Sequence, residues 1–342
     1  MAAILIAGGA GYVGSHTAVK LLEQDVDVVI ADDFSNSNAA VIQAIEAITG
    51  KKVKNYEVDL TKKEAIRTIF DENDISGVIN FAGYKSVGES SKIPLAYYRN
   101  NLEIMLSLLT VMQENEVFNL VFSSSATVYG EPKILPIREV DGCSPVNTYG
   151  KSKQMIEQIL QDLSVSDQRW HLIALRFFNP LGAHKSGDLG EDPNGLPNNL
   201  APYITQVALG KLPILHVLGH DFPTPDGTSI RDYLHIDDLA QGHISAMNYL
   251  LESPNEIAGF EAINLGSGKG YSVLEILRSF EKVTERDIPF EYTTKREGDI
   301  AESFASIEKA EQMLNWKPVY TLEEMCIDTW NWQQKHPNGY AK

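Results

Sequence analysis

The fold class this sequence predicts is a doubly wound parallel α/β domain followed by a smaller α/β C-terminal domain. Three observations carry that expectation. Short β-branched runs alternate with longer amphipathic stretches through the first 180 residues, glycines cluster where the first run ends, and the rhythm breaks after Asn179. The runs "AILIAG", "VDVVIAD", "KVKNYEVD", "GVINFAG", "NLVFSSS" and "HLIALRFFN" read as buried strands, with helices between them. Repeated units of this length require right-handed crossovers and a parallel sheet covered on both faces, a Rossmann-like layout.

After Asn179 comes "PLGAHKSGDLGEDPNGLPNNLAPY", rich in Gly, Pro, Asn and Asp. A stretch so long and aperiodic is usually functional, and it opens the second domain, residues 181–342. "SIRDYLHIDDLAQGHISAMNYLL" again reads as strand, cap and helix, so the chain returns to the first domain around 230–252 before "FEAINLGSG" begins another excursion. The helix "LAYYRNNLEIMLSLLTVMQ" is apolar over more than one face and has side chains to spare for a second subunit.

Bulk properties narrow the function. A chain of 342 residues can bury two cores, and 29 basic against 46 acidic residues leave a net charge of −17. Nucleic acid and acidic membrane surfaces are repelled by such a chain, so an anionic ligand needs a locally positive pocket. The apolar N-terminus lacks a basic leader and is soon interrupted by glycine, so it reads as strand and turn rather than a secretory segment; no run is long enough to span a bilayer. Two cysteines, Cys143 and Cys326, suit packed side chains in a reducing cytoplasm. No metal site is expected: His216 and His220 in "HVLGH" lack a carboxylate partner at helical spacing, and "DPNG" at 192–195 reads as a turn.

The first strand runs into Gly8, Gly11 and Gly14, spaced G-x-x-G-x-x-G. Gly8 makes the tight turn, Gly11 lets backbone N–H groups reach a pyrophosphate, and Gly14 lets the helix lie close on the strand. Asp32 ends the second strand, where a carboxylate bonds the adenosine ribose hydroxyls and repels a 2′-phosphate, which favours NAD over NADP. Residues 1–180 are therefore the NAD-binding domain. Asp59, at the end of the third strand, can accept from the adenine amino group, and Phe81, Ala82 and Gly83 offer backbone beside the pyrophosphate and ribose.

Oxidising a hydroxyl with NAD needs a base. Tyr149 and Lys153 lie four apart, on one face of a helix, and an ammonium beside a phenol favours the phenolate. Tyr129 and Lys133 share the spacing, but Gly130 and Pro132 make a helix there untenable. "SPVN" supplies a proline and a possible cap before the first pair, and "FSSSATVYG" places three serines at the carboxyl edge of the sheet, where a hydroxyl can bond the substrate oxygen.

Together, "GGAGYVGSHT", "FAGYKSVGES", "SSSATVYG", "YGKSK", "RFFNPLGAH", "GEDPNGLPNNL", "PTPDGTSIRDYLH" and "REGD" resemble the nucleotide-sugar 4-epimerases of the extended short-chain dehydrogenase/reductase family over nearly the whole chain. The resemblance implies a tightly held NAD regenerated in each turnover and a UDP-hexose inverted at C4 through a 4-keto intermediate. Tyr149 would take the 4-hydroxyl proton, Ser125 orient that oxygen, and Lys153 hold the nicotinamide ribose and lower the tyrosine pKa. Further cofactor contacts are implied for Tyr12, Val13, Asn36, Ser37 and Leu60, and for Lys85, Asn100 and Phe178. On the sugar-nucleotide side it implies Lys85, Asn179, Asn199, Leu200, Leu218 and Tyr233, with Arg231 and Arg296 on the diphosphate and Asp299 on the uridine ribose. It also implies a cytoplasmic homodimer through helices near 95–113 and 152–165.

Two positions depart from the family pattern. Phe177 stands where family members resemble "RYFNP", and Ser303 stands where members restricted to glucose and galactose carry a tyrosine. A small residue at 303 implies room for a 2-acetamido group, hence turnover of UDP-GlcNAc and UDP-GalNAc as well. Alternatives are a nucleotide-sugar decarboxylase, a 4,6-dehydratase, against which alone Ala126 and Val128 around Thr127 argue, and a non-catalytic NAD-binding sensor.

Overall fold

The computed structural model describes residues 2–192, 197, 199–252, 259–295 and 298–340. The chain runs through β1 (Ala3–Ala7), α1 (Tyr12–Glu23), β2 (Val28–Asp32), α2 (Ala40–Thr49), β3 (Lys54–Glu57), α3 (Lys63–Glu72), β4 (Ile75–Asn80), α4 (Val87–Ser90), α5 (Pro94–Glu114), β5 (Asn119–Ser123), α6 (Thr148–Ser166) and β6 (His171–Phe177). It continues through β7 (Asn179–Leu181), α7 (Leu200–Ala208), β8 (Leu215–Leu218), β9 (Ile230–His235), α8 (Ile236–Glu252), β10 (Gly259–Leu265), β11 (Gly270–Ser272), α9 (Val273–Thr284), β12 (Phe290–Thr293), β13 (Glu302–Ser303), α10 (Glu308–Leu314) and α11 (Leu322–Lys335).

The large sheet has seven parallel strands in the order β10-β6-β5-β4-β1-β2-β3. From β1 the chain works outward to β3, then crosses to β4 on the other side of β1. The crevice between β1 and β4 is thus the switch point at which such sheets bind ligands. Both faces are covered, which is why β1 reads as an unbroken apolar run. Ile4 and Ile6 belong to the core beneath α1, α2 and α8, whereas Ala3, Leu5 and Ala7 belong to the core beneath α3, α5 and α6.

Two expectations are corrected. Of the return read around 230–252, α8 packs on the large sheet but β9 does not join it, because β9 finds its hydrogen-bond partners in β7, β11 and β13 of the smaller unit. "FEAINLGSG", read as the start of another excursion, instead supplies the seventh strand, with β10 parallel to β6 from Gly259↔His171 to Leu265↔Phe177. The physical reason is the crossover. The helix α8 lies on the same core as α1 and packs against β6, which sets the strand that follows it at the edge of the sheet beside β6.

The remaining segments build a smaller unit. β9 lies between β11 and β13 and also pairs with β7, while β8 and β12 form a separate parallel pair. Ile204, Leu277, Phe280 and Trp330 sit in its apolar core. The register matters for the site: β7 sets Asn179 opposite Tyr233, and β13 sets Ser303 opposite Arg231.

Candidate active site

The glycine turn closes on the crevice between β1 and β4. Gly8 has φ +77, and a Cβ there would stand 2.6 Å from the Ala82 nitrogen; Phe81 and Ala82 both donate backbone N–H groups to the Ala7 carbonyl. A Cβ on Gly14 would collide with the Gly8 carbonyl, so this glycine lets the helix close on the loop before it rather than on the strand. Gly11 caps α1 without a side-chain hydrogen bond, leaving the helix N-terminus open to an anion. Val13 and Tyr12 begin that helix, and the Tyr12 hydroxyl donates to the Gly182 carbonyl at 2.6 Å, which ties the cofactor loop to β7.

Asp32 closes the adenosine side. Its carboxylate accepts from the Ala10 and Phe34 N–H groups and the Ser37 hydroxyl, each at 2.9 Å. Burial pushes its pKa up against these three donors. The acid therefore shapes the glycine loop as well as standing where a ribose is expected. β3 ends at Glu57, so Asp59 lies in the turn beyond the strand and not at its end; it accepts from the Thr61 N–H and hydroxyl. Leu60 is buried beside it in the core, while Asn36 is exposed. An open helix N-terminus, a glycine cradle that side chains would fill and an acid at the second strand end fit an NAD.

The predicted catalytic pair is held by helix α6. Asn147 caps it, accepting from the Gly150 N–H at 2.8 Å, so the cap read from "SPVN" is this asparagine. A Cβ on Gly150 would stand 2.7 Å from the Thr127 carbonyl, so the helix can approach the end of β5 this closely only with glycine there. Tyr149 and Lys153 are both buried. The Lys153 ammonium donates to the Ser123 carbonyl at 2.7 Å and lies 5.7 Å from the Tyr149 ring centroid. By contrast Tyr129, in the loop as its glycine and proline require, is buried elsewhere and donates to Asn264 Oδ1 at 2.6 Å.

The electrostatics differ from the sequence expectation in one respect. Burial pushes the Tyr149 phenol up to about 12, and the group that pulls it back is the Ser125 hydroxyl, not Lys153. Ser125 Oγ already accepts from the Thr127 N–H at 3.2 Å and the Thr127 hydroxyl at 2.9 Å, so its own proton is left to point at the phenol oxygen. Burial also lowers Lys153 to about 7. The tyrosine thus depends on hydrogen bonding and on added positive charge to ionise.

Residues 4–266 match the family described as the NAD dependent epimerase/dehydratase family. The chain belongs to that family. Over 99% of its length it is 51% identical to the UDP-glucose 4-epimerase of Bacillus subtilis, covering 98% of that protein, and 49% identical to that of Dictyostelium discoideum, covering 97%. Its fold matches the crystal structure of UDP-glucose 4-epimerase from Bifidobacterium longum in complex with NAD+ and UDP, with a TM-score of 0.94, 46% identity, and coverage of 99% of this chain and 100% of the other.

The other predicted positions are spread over both units. Lys85 lies 3.9 Å from Glu191, whose carboxylate also accepts from Asn199 Nδ2 at 2.6 Å, so these two predicted contacts meet through an acid that was not predicted. Leu200 starts α7 immediately after Asn199. Arg231, Tyr233, Asn179 and Ser303 gather on the β7–β9–β13 strands, with Ser303 buried. Leu218 stands apart at the end of β8, and Asp299 precedes β13. Phe178 packs with Val128, Tyr129, Ile137 and Ala305. Arg296 and residues 193–195 of "DPNG" lie outside the described residues. His216 faces Glu291 at 2.9 Å and His220 lies against Tyr292.

Sequence reasoning missed the supports. Asn101, not Asn100, is buried and bonds both the Tyr84 backbone and the Ser152 hydroxyl; Asn100 donates to it. His243 on α8 forms the floor behind β5. Its Nδ1 lies 2.9 Å from the Leu239 carbonyl and must donate to it, so Nε2 accepts from the Ser123 hydroxyl at 3.1 Å. A single histidine in a helix carries no signal that such a contact exists. Phe81 and Phe177 both pack on its ring, which is the place Phe177 occupies.

Burial lowers the His243 pKa to about 4, so the folded state keeps it neutral while the unfolded chain binds a proton near the usual 6.5. This contribution is fully present above pH 6.5 and is lost as pH falls toward 4. In urea titrations, the stability advantage of wild type over His243→Gln should shrink by roughly 3 kcal/mol across that window. A pH-independent gap would contradict the neutral assignment.

Proposed function

We infer that this chain inverts C4 of UDP-hexoses, interconverting UDP-galactose and UDP-glucose with NAD as its cofactor. The observation that carries the reading is the meeting of Tyr149, Ser125 and Lys153 at the carboxyl edge of the parallel sheet, beside the glycine turn. The glycine turn and Asp32 would hold an NAD, which would supply a reversible acceptor for the C4 hydrogen with its electron pair, and positive charge. Tyr149 takes the proton of the 4-hydroxyl and gives it back, while Ser125 orients that oxygen. The 4-keto sugar turns between these two steps and is reduced on its opposite face. No coenzyme is consumed.

Turning requires a firm hold on the nucleotide and a loose one on the sugar. The large sheet with α8 and β10 would hold the cofactor, and the smaller unit around β7, β9, β11 and β13 the UDP-sugar. Arg231 would capture the diphosphate on an otherwise acidic protein. The described residues hold no helix long and apolar enough to cross a membrane, and both cysteines are free, which suits action in the cytoplasm.

Ser303 bears on substrate breadth. It is buried on β13 directly opposite Arg231, where a small side chain would leave room beside the sugar and a tyrosine would fill it. The chain would then also accept UDP-N-acetylhexoses. A homodimer is supported by apolar side chains left exposed on α5 and α6, namely Leu95, Leu106 and Met155.

Three measurements test these readings. Purified protein given UDP-galactose without added NAD should produce UDP-glucose, and Tyr149→Phe should lower kcat by about 10² to 10⁴; wild-type protein that makes no product would refute the reaction. Turnover of UDP-GalNAc by wild type should disappear in Ser303→Tyr while UDP-galactose turnover persists. Sedimentation velocity should show a dimer that Leu106→Glu dissociates, and a monomeric wild type would remove the dimer.

A further inference from the structure

Behind the catalytic residues lies a buried ionic group that the reaction itself does not use. Glu157 follows Lys153 by one helix turn and is buried, as is Arg176 on β6. The two carboxylate oxygens accept from Arg176 Nη2 at 2.7 Å and from its Nε at 3.1 and 3.2 Å. Oε1 also accepts from the Ser124 hydroxyl at 2.5 Å. Ser124 is the residue between Ser123, whose carbonyl receives the Lys153 ammonium, and Ser125.

We propose that Glu157 is a positioning residue for this catalytic corner: its carboxylate pins the Ser123–Ser125 strand end through Ser124 and presents a negative charge to Lys153 across one turn of α6. The proposal rests on the epimerase reading of the site. Desolvating an acid and a guanidinium together is costly, and a core needing only volume is served as well by apolar side chains. The pair stands where its removal would reach two catalytic groups at once.

The electrostatics agree with the geometry. Burial lowers Lys153, and Glu157 is the charge that raises it back. The other groups facing the ammonium are the Phe122 ring and Ser123 carbonyl from β5, the Tyr149 ring from α6, and His243 from α8, a histidine that burial keeps neutral. Around Glu157 itself stand Arg176, Ser124 and Cys143, with Tyr129 bonded to the far side of the guanidinium at 3.1 Å. Loss of the carboxylate charge should therefore leave the ammonium less favoured, so Lys153 loses its proton at lower pH.

The experiment uses the NAD-loaded enzyme and follows kcat and KM for UDP-galactose from pH 6 to 10. Glu157→Gln keeps an acceptor for Ser124 but removes the charge. Its alkaline limb should move down by about one unit and kcat at pH 8 fall about tenfold, with KM within about twofold. The double variant Glu157→Gln with Arg176→Gln removes the stranded guanidinium and should keep both defects. A wild-type limb in Glu157→Gln, or recovery of wild-type kcat in the double variant, overturns the proposal. Absence of turnover by wild type instead counts against the epimerase reading and takes this role with it.

Discussion

The site depends on one close approach: the first turn of α6 against the turn that follows β5. Gly150 makes it possible, because any side chain there would meet the Thr127 carbonyl, and Asn147 makes it stable by capping the helix. Glycine inside a helix costs about 1 kcal/mol relative to alanine, a cost accepted here for contact. With the helix seated, Tyr149 reaches Ser125 and Lys153 reaches the Ser123 carbonyl. Outward displacement of the helix would weaken both.

Burial then sets the chemistry. Tyr149 and Lys153 are each pushed toward their neutral forms, which would leave a tyrosine unable to accept a proton at neutral pH. Hydrogen bonds offset this from one side, since Thr127 fills the acceptor capacity of Ser125 and frees its proton for the phenol. Charge offsets it from the other, through the cofactor and Glu157. The enclosure that weakens ionisation also strengthens each of these interactions.

Much of this was legible in the sequence, for reasons that differ by residue. The glycine turn and Asp32 are readable because a strand-to-helix turn beside a phosphate tolerates few alternatives, and local spacing records it. Tyr149 was separable from Tyr129 because proline and glycine forbid a helix in one segment and an asparagine cap begins it in the other. Less legible were Asn101, His243 and Glu191. Each acts on a residue far away in the chain, and nothing in its own surroundings records the partner. The placement of β10 failed for the same reason, since a strand run states that it is a strand and not which edge it joins.

By itself the sequence determined the alternation of strands and helices, the glycine turn and the helix that carries Tyr149 and Lys153, because helix capping, glycine geometry and hydrophobic period are local properties. Tertiary structure alone decided that Ser303 lies opposite Arg231, that Lys85 and Asn199 meet at Glu191, and that Glu157 and Arg176 pair behind the catalytic corner. These are contacts between separate segments, from 8 residues apart for Asn199 and Glu191 to more than 70 for Ser303 and Arg231. Their energies exist only once the sheet has brought the segments together and excluded water from between them.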